Sequence, residues 1–190
     1  NSPARRSAQT SLSQIVLTIL KLLAPILSFT CEEAWQEIKK LPLGKNLEES
    51  IFLSDMPENT GYQVSSEIVE KWTKMREIRS QVLKALEEAR QKGLIGSSLE
   101  AKVVFKTSEP KMKEFLTNTL NLWPEAAIVS QVSLADGAND KLDIAIEHAE
   151  GSKCPRCWQW RTDIGKDSKY PDLCSRCAKV LEEEKISVPV

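Results

Sequence analysis

The sequence lacks a long apolar run and a secretory signal. Its longest apolar stretch, residues 15–29, is interrupted by polar residues and a proline and is shorter than the roughly 20 residues that a membrane-spanning helix needs. The basic amino end is followed by neither the uninterrupted apolar stretch nor the small-residue cleavage site of a signal peptide. We therefore expect no membrane segment and no secretion, and a cytoplasmic location.

Net charge is also almost absent, since 26 lysines and arginines oppose 27 acidic residues. A near-neutral chain has no overall attraction to nucleic acid, so any electrostatic footprint must be local. The 190 residues, 41% of them hydrophobic, suffice for one medium domain or two small ones. Because the chain begins at Asn1 without a methionine, in a segment of helical pattern, we expect a fragment of a longer protein.

Helical periodicity dominates the first forty residues. Pro25 predicts the end of a first helix near Leu23, and Thr30 with Glu33 predicts a capping box that starts a second. The apolar residues of the first helix recur at intervals of three and four, and such a face needs a packing partner. They are Leu12, Ile15, Val16, Ile19, Leu20, Leu23 and Leu27.

A long third helix follows a surface connection at residues 43–62, which is rich in Pro, Gly, Asn and Ser. Ser65 or Ser66 caps this helix, and Gly93 stops it after about Lys92. Its predicted buried stripe consists of Ile68, Val69, Trp72, Met75, Ile78, Val82, Leu86 and Ala89.

The period changes to that of strands near residue 98. Apolar and polar residues alternate in 98–107, and two further strands are predicted at 126–134 and 141–149, after a short helix at 109–122. The predicted fold class is therefore mixed α and α/β, with a helical bundle, a small βαββ-like unit and a C-terminal four-cysteine zinc ribbon or knuckle. The predicted domains are residues 1–96, 97–148 and 149–190.

Four cysteines near the carboxyl end follow the spacing of a zinc site: Cys154, Cys157, Cys174 and Cys177. Each Cys-x2-Cys pair can hold two corners of a tetrahedron, so the four thiolates predict one structural zinc without an open position for catalysis. Two disulfides are the alternative, but the fifth cysteine and the missing secretory signal argue against them. His148, the only histidine, is not expected to be a ligand.

The predicted zinc module also carries a local basic surplus. Residues 151–179 contain seven lysines and arginines against three aspartates, with Trp158, Trp160 and Tyr170 among them. Interleaved guanidinium groups and aromatic rings suit unpaired bases, which stack on the rings while the cations meet phosphates. The alternative interpretation fits this pattern equally well: the charged residues form a solvent-exposed face and the tryptophans pack in the core.

Several longer strings carry a family resemblance. In order, NSPARRSAQT, LLAPILSFTCEEAWQ, MREIRSQVLKALEEARQKGLIGSSLEA, AEGSKCPRCWQW and LCSRCAKVL resemble the carboxyl-terminal portion of a bacterial-type isoleucyl-tRNA synthetase, over nearly the whole chain. The resemblance implies that the helices dock along the anticodon stem of tRNA(Ile) and that the zinc module reaches the anticodon loop. It also implies a monomer whose remaining partner is the rest of the synthetase chain.

The HIGH-type and KMSKS-type signatures of such a synthetase are absent from the sequence. The chain alone is therefore not expected to be an enzyme, although the parent would ligate isoleucine to tRNA using ATP.

The resemblance implies a set of RNA-contacting residues. Trp158 is the first choice for base stacking, because it directly follows Cys157 and a metal-held turn would preorganise it; packing under the zinc loop is its alternative. The other candidates are Trp160, Arg156, Arg161, Arg176, Lys153 and Lys166, together with Arg5 and Arg6 of the ARRS stretch.

Two other functions remain open at this point. The cysteine spacing also resembles the terminal zinc finger of formamidopyrimidine-type DNA glycosylases, although the predicted βαββ-like segment stands where such an enzyme needs a helix-two-turn-helix. A zinc-stapled protein-interaction module is the third hypothesis.

Overall fold

The computed structural model describes residues 3–58 and 64–184, except the side chains of Ala4 and Glu184. The chain divides into two compact units, Asn1–Val64 and Ser65–Val190. Among the described residues, no helix has the length and apolar character needed to cross a membrane.

The first unit consists of two helices and an ordered connection. Helix α1 (Pro3–Leu23) ends two residues before Pro25, which confirms the predicted stop. Helix α2 (Ser28–Lys39) begins earlier than predicted, and the residue before it, Leu27, makes no side-chain cap bond. The capping box predicted at Thr30 is wrong, because the backbone turns directly from one helix into the next and places Thr30 inside the first turn of α2.

Residues after α2 are pinned to it by hydrogen bonds. The indole N–H of Trp35 donates to the carbonyl oxygen of Glu48 at 3.0 Å. The Glu32 carboxylate accepts from Ser50 Oγ and from the Ile51 N–H, both at 2.9 Å. The small core that results contains Leu20, Ala24, Cys31, Trp35 and Ile51.

Most of the apolar face predicted on the first helix is open to solvent. Of its seven residues only Leu20 is buried, whereas Leu12 is 64% exposed and Ile15 is 53% exposed. The reason is length, since α2 has 12 residues against 21 in α1 and packs only near the carboxyl end of α1.

The second unit holds a three-stranded sheet packed against a long helix, followed by the cysteine segment. Strand β1 (Ala101–Thr107) lies in the centre of the sheet, parallel to β2 (Gln131–Asp136) on one side and antiparallel to β3 (Asp143–His148) on the other. The predicted mixed fold with a βαββ unit is thus confirmed. The elements are α3 (Ser66–Gln91), β1 (Ala101–Thr107), α4 (Pro110–Thr119), α5 (Trp123–Ala127), β2 (Gln131–Asp136), β3 (Asp143–His148), β4 (Ser152–Lys153), β5 (Trp160–Arg161) and α6 (Ser175–Glu184).

Helix α3 has the predicted ends. Ser65 Oγ accepts the N–H of Ile68 at 3.4 Å, and Gly93 takes a φ of +71° after the helix. The stripe is buried from Met75 to Ala89, but Ile68, Val69 and Trp72 are about half exposed. A helix of 26 residues is about 39 Å long and a strand of seven about 23 Å, so the sheet cannot cover the whole stripe.

Helix α3 and the sheet share one core, in which Val82 and Leu86 lie with Val103 and Phe105. The predicted domain boundaries after residues 96 and 148 stay predictions.

The strand predicted from residue 126 begins later than expected. Pro124 lies in the first turn of the short helix α5, which ends where Ile128 takes a left-handed φ of 57°, and β2 starts at Gln131. Pro124 favours the first turn of a helix because its φ is fixed and it has no N–H to satisfy.

Candidate metal centre and its surface

The four predicted ligands meet at one point. Their sulfur atoms all lie within 4.8 Å of one another, and the sulfurs of Cys157 and Cys174 are 3.8 Å apart. A tetrahedron with zinc–sulfur bonds of 2.3 Å has edges of about 3.8 Å. All five cysteines of the chain are free thiols, so the arrangement fits zinc and not the two disulfides.

The two halves of the cluster are held in different ways. Cys154 and Cys157 lie on a tight turn, in which the Trp158 N–H donates to the Cys154 carbonyl oxygen at 2.8 Å. Cys174 directly precedes α6 and Cys177 lies in its first turn, where the positive end of the helix dipole favours thiolates.

The cysteines differ in acidity for physical reasons. Burial pushes the pKa of Cys154 upward, but backbone N–H groups of Cys174, Cys157 and Arg156 hydrogen-bond its sulfur, and the pKa falls to about 6. Burial raises the pKa of Cys177 to about 12, against a hydrogen bond from the Arg156 side chain. The sulfur of Cys154 is therefore ready for a metal at neutral pH, whereas that of Cys177 must lose a proton.

Gly151 allows the close approach of two backbone segments at the start of the zinc module. Gly151 has a φ of +90°, and a Cβ there would lie 2.1 Å from the carbonyl oxygen of Arg161. Any side chain would separate the paired residues Ser152 and Arg161, which join β4 to β5.

The two candidate tryptophans have different surroundings. Trp158 is 61% exposed and has a φ of 63°, a conformation that is rare for bulky residues. Trp160 is partly buried, with its ring edge-to-face against His148 at 4.6 Å between centroids, and its indole N–H is buried without a hydrogen bond. Trp158 thus faces solvent, while Trp160 packs inside the second unit.

The basic candidates divide in the same way. Lys153, Arg156, Lys166 and Arg176 are exposed. Arg161 is partly buried, and one of its terminal nitrogens donates to Gln159 Oε1 at 2.9 Å. Arg5 and Arg6 are exposed on α1 in the first unit.

The structure adds two residues that sequence reasoning missed, Ser130 and Gln131. Their side chains bond the backbone at Glu150 and Trp160, next to the metal centre. The alternation of apolar and polar residues predicts a strand here. It does not show that the polar residues at the start of the strand bind a segment twenty to thirty residues away.

Comparisons with known proteins cover both ends of the chain. The family model "Anticodon-binding domain of tRNA ligase" matches residues 1–105, and "Zinc finger found in FPG and IleRS" matches residues 151–180. The second match supports one structural zinc on the four cysteines.

Similar curated proteins match almost the whole chain. An isoleucine–tRNA ligase from Carboxydothermus hydrogenoformans is 44% identical over 97% of the chain and 20% of the relative. The isoleucine–tRNA ligases of Fervidobacterium nodosum and Staphylococcus epidermidis are 41% and 43% identical over 95% and 96% of the chain, each again over 20% of the relative. The chain thus spans about a fifth of the length of these relatives.

The hypothesis of a DNA glycosylase accounts for the zinc finger only, whereas the match to residues 1–105 and these relatives account for the helices as well. The chain belongs to the family of the anticodon-binding domain of tRNA ligase, and it carries a terminal zinc finger.

Proposed function

We propose that this chain binds the anticodon stem-loop of tRNA(Ile) as the carboxyl-terminal part of an isoleucine–tRNA ligase. The relatives that match 95% or more of the chain carry that enzyme name. The structural observation behind the proposal is the exposed ring of Trp158, held next to the cysteine cluster on a turn closed by its own backbone N–H.

Recognition rests on stacking. An anticodon base that leaves the loop stacks on the Trp158 ring, which offers a flat apolar surface without first having to leave a core. The turn loses little freedom on binding because the cluster already fixes it. Bound zinc supplies folding free energy to the module, in which two of the strands are only two residues long.

Cations around the ring supply attraction to the phosphates. Lys153 and Lys166 add sequence-independent charge, while Arg156 and Arg176 can donate in pairs to phosphate or base edges. Trp160 and Arg161 are less accessible, so we assign them a smaller share of the RNA contact. Arg5 and Arg6 contact the stem from α1.

The rest of the synthetase chain is the proposed partner of the open face of α1. That face exposes apolar residues over several turns, and the relatives are about five times as long as this chain. The sequence has neither synthetase nucleotide-binding signature, so we propose that charging is left to the parent enzyme. We further propose that the chain binds tRNA as a monomer in the cytoplasm.

The test is titration of the zinc-loaded chain with tRNA(Ile) and with the same tRNA carrying an unrelated anticodon, at two salt concentrations. We expect tighter binding of tRNA(Ile) and weaker binding of both at higher salt. Equal affinity for the two tRNAs would contradict the proposal. The same titration with the parent enzyme is the control for a fragment that binds weakly.

A further inference from the structure

Two residues at the start of the edge strand β2 bridge the sheet and the zinc module. Strand β2 pairs with β1 on one side only. Ser130 directly precedes the strand and Gln131 is its first residue, and their side chains reach the backbone on either side of the first cysteine turn.

Gln131 binds Glu150 much as a neighbouring strand would. Its Nε2 donates to the Glu150 carbonyl oxygen at 2.8 Å, and its Oε1 accepts the Glu150 N–H at 3.0 Å. The same Nε2 also reaches the carbonyl oxygen of Trp160 at 3.4 Å. One side-chain amide therefore connects the segment before β4 and the first residue of β5 to the sheet.

Ser130 completes the connection. Its Oγ accepts the Trp160 N–H at 2.8 Å and donates to the carbonyl oxygen of Leu99 at 2.5 Å, and the residue is only 5% exposed. The Lys102 ammonium reinforces the same junction through an ion pair with Glu150 at 2.7 Å. The junction therefore contains charged and neutral bonds from two strands of the sheet.

The module has few means of its own to hold an orientation. Its strands β4 and β5 pair through two residues each, and its own buried cluster consists of cysteines with three partly buried neighbours. A metal would fix the interior of this module, whereas its direction relative to the sheet depends on contacts with the sheet. These contacts are the Trp160 ring against His148 and the bonds of Ser130 and Gln131.

We propose that Ser130 and Gln131 are positioning residues, which fix the direction in which the zinc module presents Trp158 relative to the sheet and α3. This inference rests on the proposed function for its RNA consequence. Ser130 and Gln131 act on RNA binding through the backbone of Glu150 and Trp160 and need not touch RNA themselves. Trp160 lies two residues after Trp158 in the chain.

Amide residual dipolar couplings of the zinc-loaded 190-residue chain test the junction without RNA. In the wild type one alignment fits both the sheet and residues 152–179. In Gln131→Met, and more so in Ser130→Ala/Gln131→Met, we expect module couplings about twofold smaller than those of the sheet, with full zinc content. Gln81→Met, an exposed position on α3, is the control and leaves a single alignment.

Two outcomes of that measurement overturn the proposal. A single unchanged alignment in the double variant shows that other contacts fix the module. Loss of zinc in both variants shows that the residues serve folding and not positioning.

Titration of the same proteins with tRNA(Ile) adds the functional readout. Gln131→Met should weaken binding about tenfold at full zinc content, and Trp158→Ala should cost less in that background than in the wild type. Unchanged affinity of Gln131→Met, in a wild type that distinguishes anticodons, overturns the positioning role and leaves the proposed function standing. A wild type that does not distinguish anticodons contradicts the proposed function, and the dipolar couplings then decide the junction separately.

Discussion

The backbone N–H of Trp158 donates to the carbonyl oxygen of Cys154 at 2.8 Å, and this turn holds the tryptophan in the left-handed region at a φ of 63°. A bulky side chain is strained there by about 1–2 kcal/mol, and only glycine is free of that strain. Strain at an exposed aromatic residue next to the cysteine cluster supports the stacking role that we propose for Trp158.

Replacing Trp158 by glycine should therefore stabilise the module relative to alanine at the same position. We expect Trp158→Gly to exceed Trp158→Ala by about 1 kcal/mol in the free energy of unfolding of the zinc-loaded chain, while both variants bind tRNA equally poorly. Urea unfolding followed by the loss of zinc measures the difference. A glycine variant less stable than the alanine variant would show that the turn is unstrained.

Zinc uptake should release protons. At pH 7 the thiol of Cys154, with its pKa near 6, is already mostly ionised, whereas burial raises the pKa of Cys157 and Cys177 above the usual thiol value. The last two must lose their protons when they bind the metal. Titration calorimetry in buffers of different ionisation enthalpy should give about two or more protons per zinc at pH 7. Release near zero would contradict these assignments.

Acid should weaken the first unit through Glu32. The hydrogen bond from Gln36, with those from the Ile51 N–H and Ser50, lowers the pKa of this carboxyl below 4.5. A lowered folded pKa gives stability that is present above about pH 4.5 and is lost as the pH falls through the folded value. We expect Glu32→Gln to cost about 1 kcal/mol at pH 7 and clearly less at pH 3, measured by thermal unfolding. A cost that is independent of pH would contradict the ionic role of Glu32.

The open face of α1 gives a prediction about the isolated chain. Leu12 and Ile15 are exposed. Replacing both of them by lysine should reduce binding of a hydrophobic dye and leave the unfolding midpoint unchanged. Leu20→Ala, on the same helix but buried, is the matched control and should cost about 2–3 kcal/mol of stability. A large loss of stability in the double lysine variant would show that the face is already covered.

Local signals in the sequence predicted most of the elements and the metal centre. Pro25 and Gly93 act on their own backbone, so the ends that they predict for α1 and α3 are where the structure has them. Each cysteine pair spans one turn, so its two sulfur atoms lie close together. Because one zinc ion takes four thiolates, the sequence also predicted that the two pairs lie together, as they do in the structure.

Features that depend on distant contacts could not be predicted. The half-exposed Trp72 depends on the length of a sheet that lies far along the chain. The side chains of Ser130 and Gln131 find backbone partners about twenty and thirty residues away. The left-handed turn at Trp158 follows from the closing of the cluster, which cysteine spacing alone does not describe.

The most direct measurement compares how wild type, Trp158→Ala and Trp72→Ala distinguish tRNA(Ile) from the same tRNA with an unrelated anticodon. Trp72 is an exposed tryptophan on α3, outside the zinc module, and so controls for the loss of any aromatic surface. Stacking on an aromatic ring is worth about 1–3 kcal/mol per base. We predict that Trp158→Ala loses most of the discrimination between the two tRNAs while keeping zinc, and that Trp72→Ala keeps it. Full discrimination in Trp158→Ala would contradict the central claim.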